Sequence, residues 1–134
     1  MSTQECPFCT LVLAGPGRPL LAASTLAVAF EDAFPSSPGH ILVIPRRHVG
    51  RVHELTGPEH AQLWELARTL LLAAQDRDGD RVAPGYTIGV NDGQAAGQTV
   101  GHVHLHIIAR HPGDNPDPRG GLRAVIPATA RYWL

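Results

Sequence analysis

The sequence predicts an α+β fold, a mostly antiparallel sheet with one long amphipathic helix. Three observations predict it: short apolar runs separated by Gly and Pro, a single long helical period behind a capping signal, and an alternating H-V-H-L-H-I-I run near the C-terminus. Thr25 to Phe30 and His40 to Ile44 read as strands, and the D-A-F-P-S-S-P-G segment between them forbids regular structure through its two prolines and Gly39. The second strand ends at Pro45, which has no N–H for a ladder. Thr56, with Glu59 three residues on, forms a capping box ahead of Leu63, Leu66, Ala67, Leu70 and Ala74. One amphipathic helix therefore runs from about Gly57 to Gln75, its apolar side serving the core. D-R-D-G-D breaks it, Tyr86 to Val90 makes another strand, and N-D-G-Q-A-A-G-Q is a Gly-rich loop feeding the histidine run. After Ala109 the chain turns irregular, and it holds no repeat, linker or low-complexity tract.

In a strand His102, His104 and His106 share one face at roughly 6 to 7 Å intervals, while Val103, Leu105 and Ile107 share the other. A helix would scatter them. The apolar set belongs on a core, so the histidine face is expected to look outward. Three readings compete: a surface strand in a chain with eight histidines, a metal site, or nucleophilic catalysis with one imidazole attacking and its neighbours binding charged oxygens. Strict alternation argues against the first, and local spacing leaves the other two open.

At 134 residues the chain is expected to form one domain, 1–134, with a single core. Eleven Arg and no Lys stand against twelve acidic residues, for a formal charge of −1. No block of like charge occurs, so the footprint of a nucleic-acid binder is missing and a small ligand is the expected partner. Residues 18 to 30 imitate a signal peptide, but Glu5, two cysteines and Gly15-Pro16 stand where a basic segment belongs. The run is also too short to span a bilayer, so a cytoplasmic location without membrane contact is expected. The C-P-F-C pair is too small to staple an extracellular scaffold, and reads as either a redox pair or half of a zinc site.

Taken together, G-H-I-L-V-I-P-R-R-H at 39 to 48 and A-G-Q-T-V-G-H-V-H-L-H-I-I at 96 to 108 closely resemble the histidine triad family of nucleotide hydrolases and transferases. Cys6-P-F-Cys9 and F-E-D at 30 to 32 extend the match, giving a motif-bearing core of about 5–114 and a Pro/Gly-rich tail, 112–134. The resemblance implies the histidine triad fold and a homodimer, for which Leu71 and Leu72 lie beside the main helical stripe. It implies that His104 is the nucleophile, oriented by the backbone carbonyl of His102, and that a nucleotidyl-histidine forms and is released by water. His106 and His40 are implied to bind the α-phosphate oxygens, with Asn91, Gly97, Gln98 and Thr99 as further phosphate contacts. Asp32 is matched to the ribose hydroxyls, and Phe8 and Phe30 to the base wall. Leu42 and Ile44 are assigned to the core, and His53, His60 and His111 to the surface.

The same resemblance implies a structural zinc held by Cys6, Cys9, His48 and His102, a closed Cys₂His₂ set that would pin His102 behind the nucleophile. The branch is mixed. A-G-Q-T-V with Thr99, then A-R-H-P-G-D, resembles dinucleoside polyphosphate hydrolases of the diadenosine tetraphosphate type, which release AMP, whereas Asn91 and Asp32 resemble purine nucleoside phosphoramidases. The tail D-N-P-D-P-R-G-G-L-R-A-V-I-P resembles bacterial members of the first kind, with Arg119 and Arg123 as candidates for distal phosphates or else a solvated tail. The expectation is a dinucleoside polyphosphate hydrolase, with a phosphoramidase as alternative. A nucleotide-binding or scaffolding protein and a nucleotidyl transferase are the readings from other classes.

Overall fold

A computed structural model describes residues 2–13 and 19–134, with the backbone alone for Asp80. Arg18 and Gly15-Pro16, which entered the reading of the 18–30 run, lie outside the described residues. The element order is α1 (Pro7–Leu13), β1 (Ala22–Ala23), β2 (Ala27–Glu31), β3 (Ile41–Pro45), α2 (Gly57–Asp78), β4 (Gly85–Val90) and β5 (Leu105–Arg110), with short 3-10 turns between and after them. The strands form one five-stranded antiparallel sheet in the order β1-β2-β3-β5-β4. This is the α+β architecture the periodicities predict.

The two faces of the sheet have different tasks. Ala27, Ala29, Val43, Leu105 and Ile107 pack with Leu63, Leu66 and Ala67 of α2, burying one face. Val28, Phe30, Leu42 and Ile44 point the other way and pack with Phe8 and Leu11 of α1. Period 2 in the strands and the helical stripe of α2 produce this division directly. Thr56 and Glu59 close the capping box, and Gly79, with φ of 53°, ends α2 three residues beyond Gln75. Leu71 joins the α2-side core, which leaves Leu72 as the exposed member of the pair noted for dimerisation.

Three details depart from the sequence reading. Helix α1 was not foreseen; seven residues are too few to be helical on propensity alone, and Cys9, Phe8 and Leu11 hold it by packing. The β5 ladder starts at Leu105 rather than His102, because the Val103 N–H donates to the Val49 carbonyl, 2.7 Å away, before pairing with β4 begins. The histidine face is not outward: His102 and His104 are 0% and 6% exposed, covered from the α1 side. Among the described residues no helix is long and apolar enough to cross a membrane.

One buried charge anchors the start of α2. Glu59 is buried, accepts the Thr56 N–H at 2.9 Å, and takes two bonds from the Arg47 guanidinium at 3.1 and 2.8 Å. Arg47 is the main reason its carboxyl is held down to about 2. The folded value lies below the unfolded one, so this stabilisation is complete above about pH 4.5 and is lost as pH falls toward about 2. Arg47→Ala is expected to lower the urea midpoint at pH 7, and to lower it less at pH 3. Equal stability of variant and wild type at pH 7 would contradict this.

Candidate active site and metal cluster

The loop between β4 and β5 places the histidines because it is tied to the segment after β3. Asp92 accepts the Val52 N–H at 2.8 Å and pairs with Arg51 at 3.2 Å. Gln98 accepts from the Gly93 N–H at 2.7 Å and donates to the carbonyls of Gly50 and Val100 at 2.9 and 3.0 Å. Gly97 turns the chain at φ 91°, a left-handed value that favours glycine. The Gln98 side chain therefore serves the loop itself, with no polar atom left over for a ligand except through exchange of these bonds.

His104 is oriented by an acceptor. Its Nδ1 lies 2.8 Å from the His102 carbonyl oxygen, so Nδ1 carries the proton and Nε2 of the neutral ring keeps its lone pair. The Phe8 ring packs edge-on against it at 5.2 Å. His106 follows at 5.0 Å between ring centres, and burial holds its pKa down to about 4, so it is neutral at physiological pH. His40 is buried and also shifted down by burial, and its Nε2 lies 2.9 Å from His106 Nδ1 and 3.6 Å from Asp32 Oδ2.

Two cavities meet at His106. One of about 360 Å³ is lined by Phe8, Phe30, Asp32, Phe34, Leu42, Thr99, His104 and His106. The other, about 310 Å³, holds Asn91, His40, Thr87, Gly89 and the tail residue Leu122. The structure thus brings Asp32, Phe8, Phe30, Thr99, His104 and His106 to one cavity and His40 and Asn91 to its neighbour, while His102 lies fully buried outside both. Asp32 already accepts the Phe34 N–H through Oδ1 at 2.9 Å. Phe34, Leu122 and the lining role of Leu42 were missed in the sequence; strand alternation marked Leu42 as core, which it also is. Arg119 pairs with Asp117 and stacks on Trp133, and Arg123 stacks on Tyr132, so both serve the tail. His53, His60 and His111 are exposed.

Behind His104, Cys6, Cys9, His48 and His102 bring four atoms that could hold a metal within 4.8 Å of one another. Cys9 Sγ lies 3.1 Å from His48 Nδ1, and both sulfurs lie 3.5 Å from His102 Nδ1. A tetrahedral zinc with ordinary Zn–S and Zn–N bonds sets sulfur and nitrogen about 3.6 Å apart, so the set fits with little adjustment. His102 Nε2 donates to the Pro45 carbonyl at 2.8 Å, which leaves the Nδ1 lone pair facing the sulfurs. Burial, together with the neighbouring Cys6, raises the Cys9 thiol to about 11, and a bound cation is what would draw off its proton.

A family model for the HIT domain matches residues 19–113. The chain belongs to the histidine triad (HIT) family. It is 35% identical over 106 residues to an adenosine 5'-monophosphoramidase of Schizosaccharomyces pombe, covering 79% of this chain and 74% of that one. It is 43% identical over 86 residues to a bis(5'-adenosyl)-triphosphatase of Dictyostelium discoideum, covering 63% of this chain and spanning 55% of the length of that relative. A zinc-bound histidine triad family protein from Mycobacterium smegmatis superposes with a TM-score of 0.73 at 29% identity, over 97% of this chain and 96% of that one.

Proposed function

We propose that this HIT protein hydrolyses nucleotides at the α-phosphate through a nucleotidyl-His104 intermediate, acting on dinucleoside polyphosphates and releasing AMP. The observation that carries it is the His104 ring, with Nδ1–H held by the His102 carbonyl and Nε2 left as a lone pair beside the cavity of Phe8, Phe30 and Asp32. The HIT triphosphatase relative supports the substrate class. Phe8 and Phe30 provide the apolar wall for the base, and Asp32 the acceptor for ribose hydroxyls. Asn91, Thr99 and the Gly97 turn surround the phosphate, with Gln98 holding that loop in shape. The cavity of His40, Asn91 and Leu122 receives the leaving group.

In the first step Nε2 of His104 forms a bond to phosphorus and the bond to the leaving oxygen breaks, its electron pair departing with that oxygen. His106, whose Nε2 is buried without a partner among the described residues, donates toward the phosphate as charge develops. In the second step a water oxygen bonds to phosphorus, the P–N bond breaks with its electron pair returning to His104 Nε2, and the water's proton passes to solvent. The 74% coverage of the monophosphoramidase favours a second reading, in which the leaving group is an amine.

Cys6, Cys9, His48 and His102 would hold a structural zinc, closed to substrate, supplying rigidity rather than Lewis acidity. The reading further places the protein in the cytoplasm, as a single domain pairing into a homodimer with the exposed Leu72 and the edge strand β4 as available surfaces.

Offering diadenosine tetraphosphate and adenosine phosphoramidate in parallel, with product chromatography and His104→Ala as the blank, tests the activity. AMP and ATP from the tetraphosphate, lost in the variant by at least about a thousandfold, is the expected result. Preference for the phosphoramidate would move the chain to the second reading, and nucleotide binding without turnover would make it a binding protein. Elemental analysis of purified protein is expected to give one zinc per chain. Cys9→Ala is expected to lose it and melt about 10 °C lower, on a loss of roughly 3 kcal/mol; unchanged metal content would contradict the site.

A further inference from the structure

The loop joining β2 to β3 delivers one backbone amide to the site. Its Asp32 accepts the Phe34 N–H at 2.9 Å, Ser37 Oγ donates to the Ala109 carbonyl at 2.8 Å, and the His40 N–H closes on the Ser37 carbonyl at 3.1 Å. Pro35 and Pro38 have no N–H to offer. Held this way, the Ser36 N–H donates to Nδ1 of His40 at 3.0 Å.

We propose that the Ser36 backbone N–H fixes the tautomer of His40 and, through it, of His106, so that His106 presents a proton rather than a lone pair to the substrate. A backbone amide only donates, so His40 Nδ1 accepts and the single proton of the neutral ring sits on Nε2. That proton points at His106 Nδ1, 2.9 Å away, which then accepts in turn. The His106 proton is left on Nε2, a buried atom that has no partner among the described residues. In the opposite arrangement protons on Ser36 N and His40 Nδ1 would point at each other between nitrogens only 3.0 Å apart. The same logic decides a competing use of these groups. Asp32, His40 and His106 bring three ligand atoms within 4.8 Å, yet the proton on His40 Nε2 occupies the direction an ion would need, so this group is a relay and not a second metal site.

Ser36 is a positioning residue: it touches no reacting atom and acts through His40 and His106. What His106 donates to rests on the reading of the site as a nucleotide α-phosphate site, whereas the tautomers rest on the protein alone.

Nitrogen-15 NMR of the imidazole rings in the wild-type zinc-loaded protein reads the tautomers without any substrate. The expected spectrum has His40 and His106 both protonated at Nε2 and bare at Nδ1. A proton on Nδ1 of His106 would overturn the proposal whatever the enzyme assay gives. Ser36→Pro removes the N–H, and is expected to move the proton of both rings to Nδ1 and to lower kcat by about a hundredfold, with KM changed far less. A folded variant that keeps both Nε2 protons would overturn it as well. Inactivity of the wild type toward every nucleotide, with the expected tautomers present, would instead overturn the functional reading and leave the relay standing.

Discussion

Every polar atom of His102 has a fixed partner, and the rest of the site depends on that. Its N–H donates to the Val100 carbonyl at 2.8 Å, its Nε2 to the Pro45 carbonyl at 2.8 Å, its Nδ1 faces both cysteine sulfurs, and its carbonyl receives the His104 proton. The residue is completely buried, so breaking any of these bonds would leave a polar group without water to replace the partner. One residue therefore connects α1, the end of β3 and His104.

The sheet gives this arrangement its working space. One face is closed by α2, and the other is only partly covered by α1, which packs on β2 and β3 and stops short of β4. Register does the rest: Leu42 of β3, His106 of β5 and Gly89 of β4 stand side by side. A bulky residue at Gly89 would reach toward Leu122, 3.9 Å from where its Cβ would stand, and narrow the cavity beyond His106. The site thus lies where an apolar wall gives way to a strand with a small residue at its centre, an arrangement suited to a flat apolar group on one side and a polar one on the other.

Much of this was legible in the sequence because it rests on periodicity and on local bonding rules. The alternation around His104 told which side chains share a face, Thr56 and Glu59 marked the start of α2, and the two motifs with the C-P-F-C pair picked out the Cys and His side chains that cluster and the triad. What was not legible rests on backbone atoms and on long-range packing. Helix α1 exists because Phe8 and Leu11 find β2 and β3, which seven residues cannot announce. The Pro45 carbonyl and the Ser36 amide carry no side-chain signature, and Gln98 reads as a ligand contact in the sequence while its amide is engaged with Gly50, Gly93 and Val100. The outward orientation expected of the histidines failed for the same reason: the cover comes from a distant part of the chain.

The central claim is that one imidazole, His104, becomes covalently attached to the substrate's phosphorus. Mixing excess enzyme with diadenosine tetraphosphate for milliseconds to seconds, quenching in alkali, and locating the adduct by peptide mass spectrometry tests it most directly. An adenylyl group is expected on His104 alone, rising and then decaying as AMP accumulates. Turnover that proceeds without any adduct, or an adduct on His106 or His40, would contradict it.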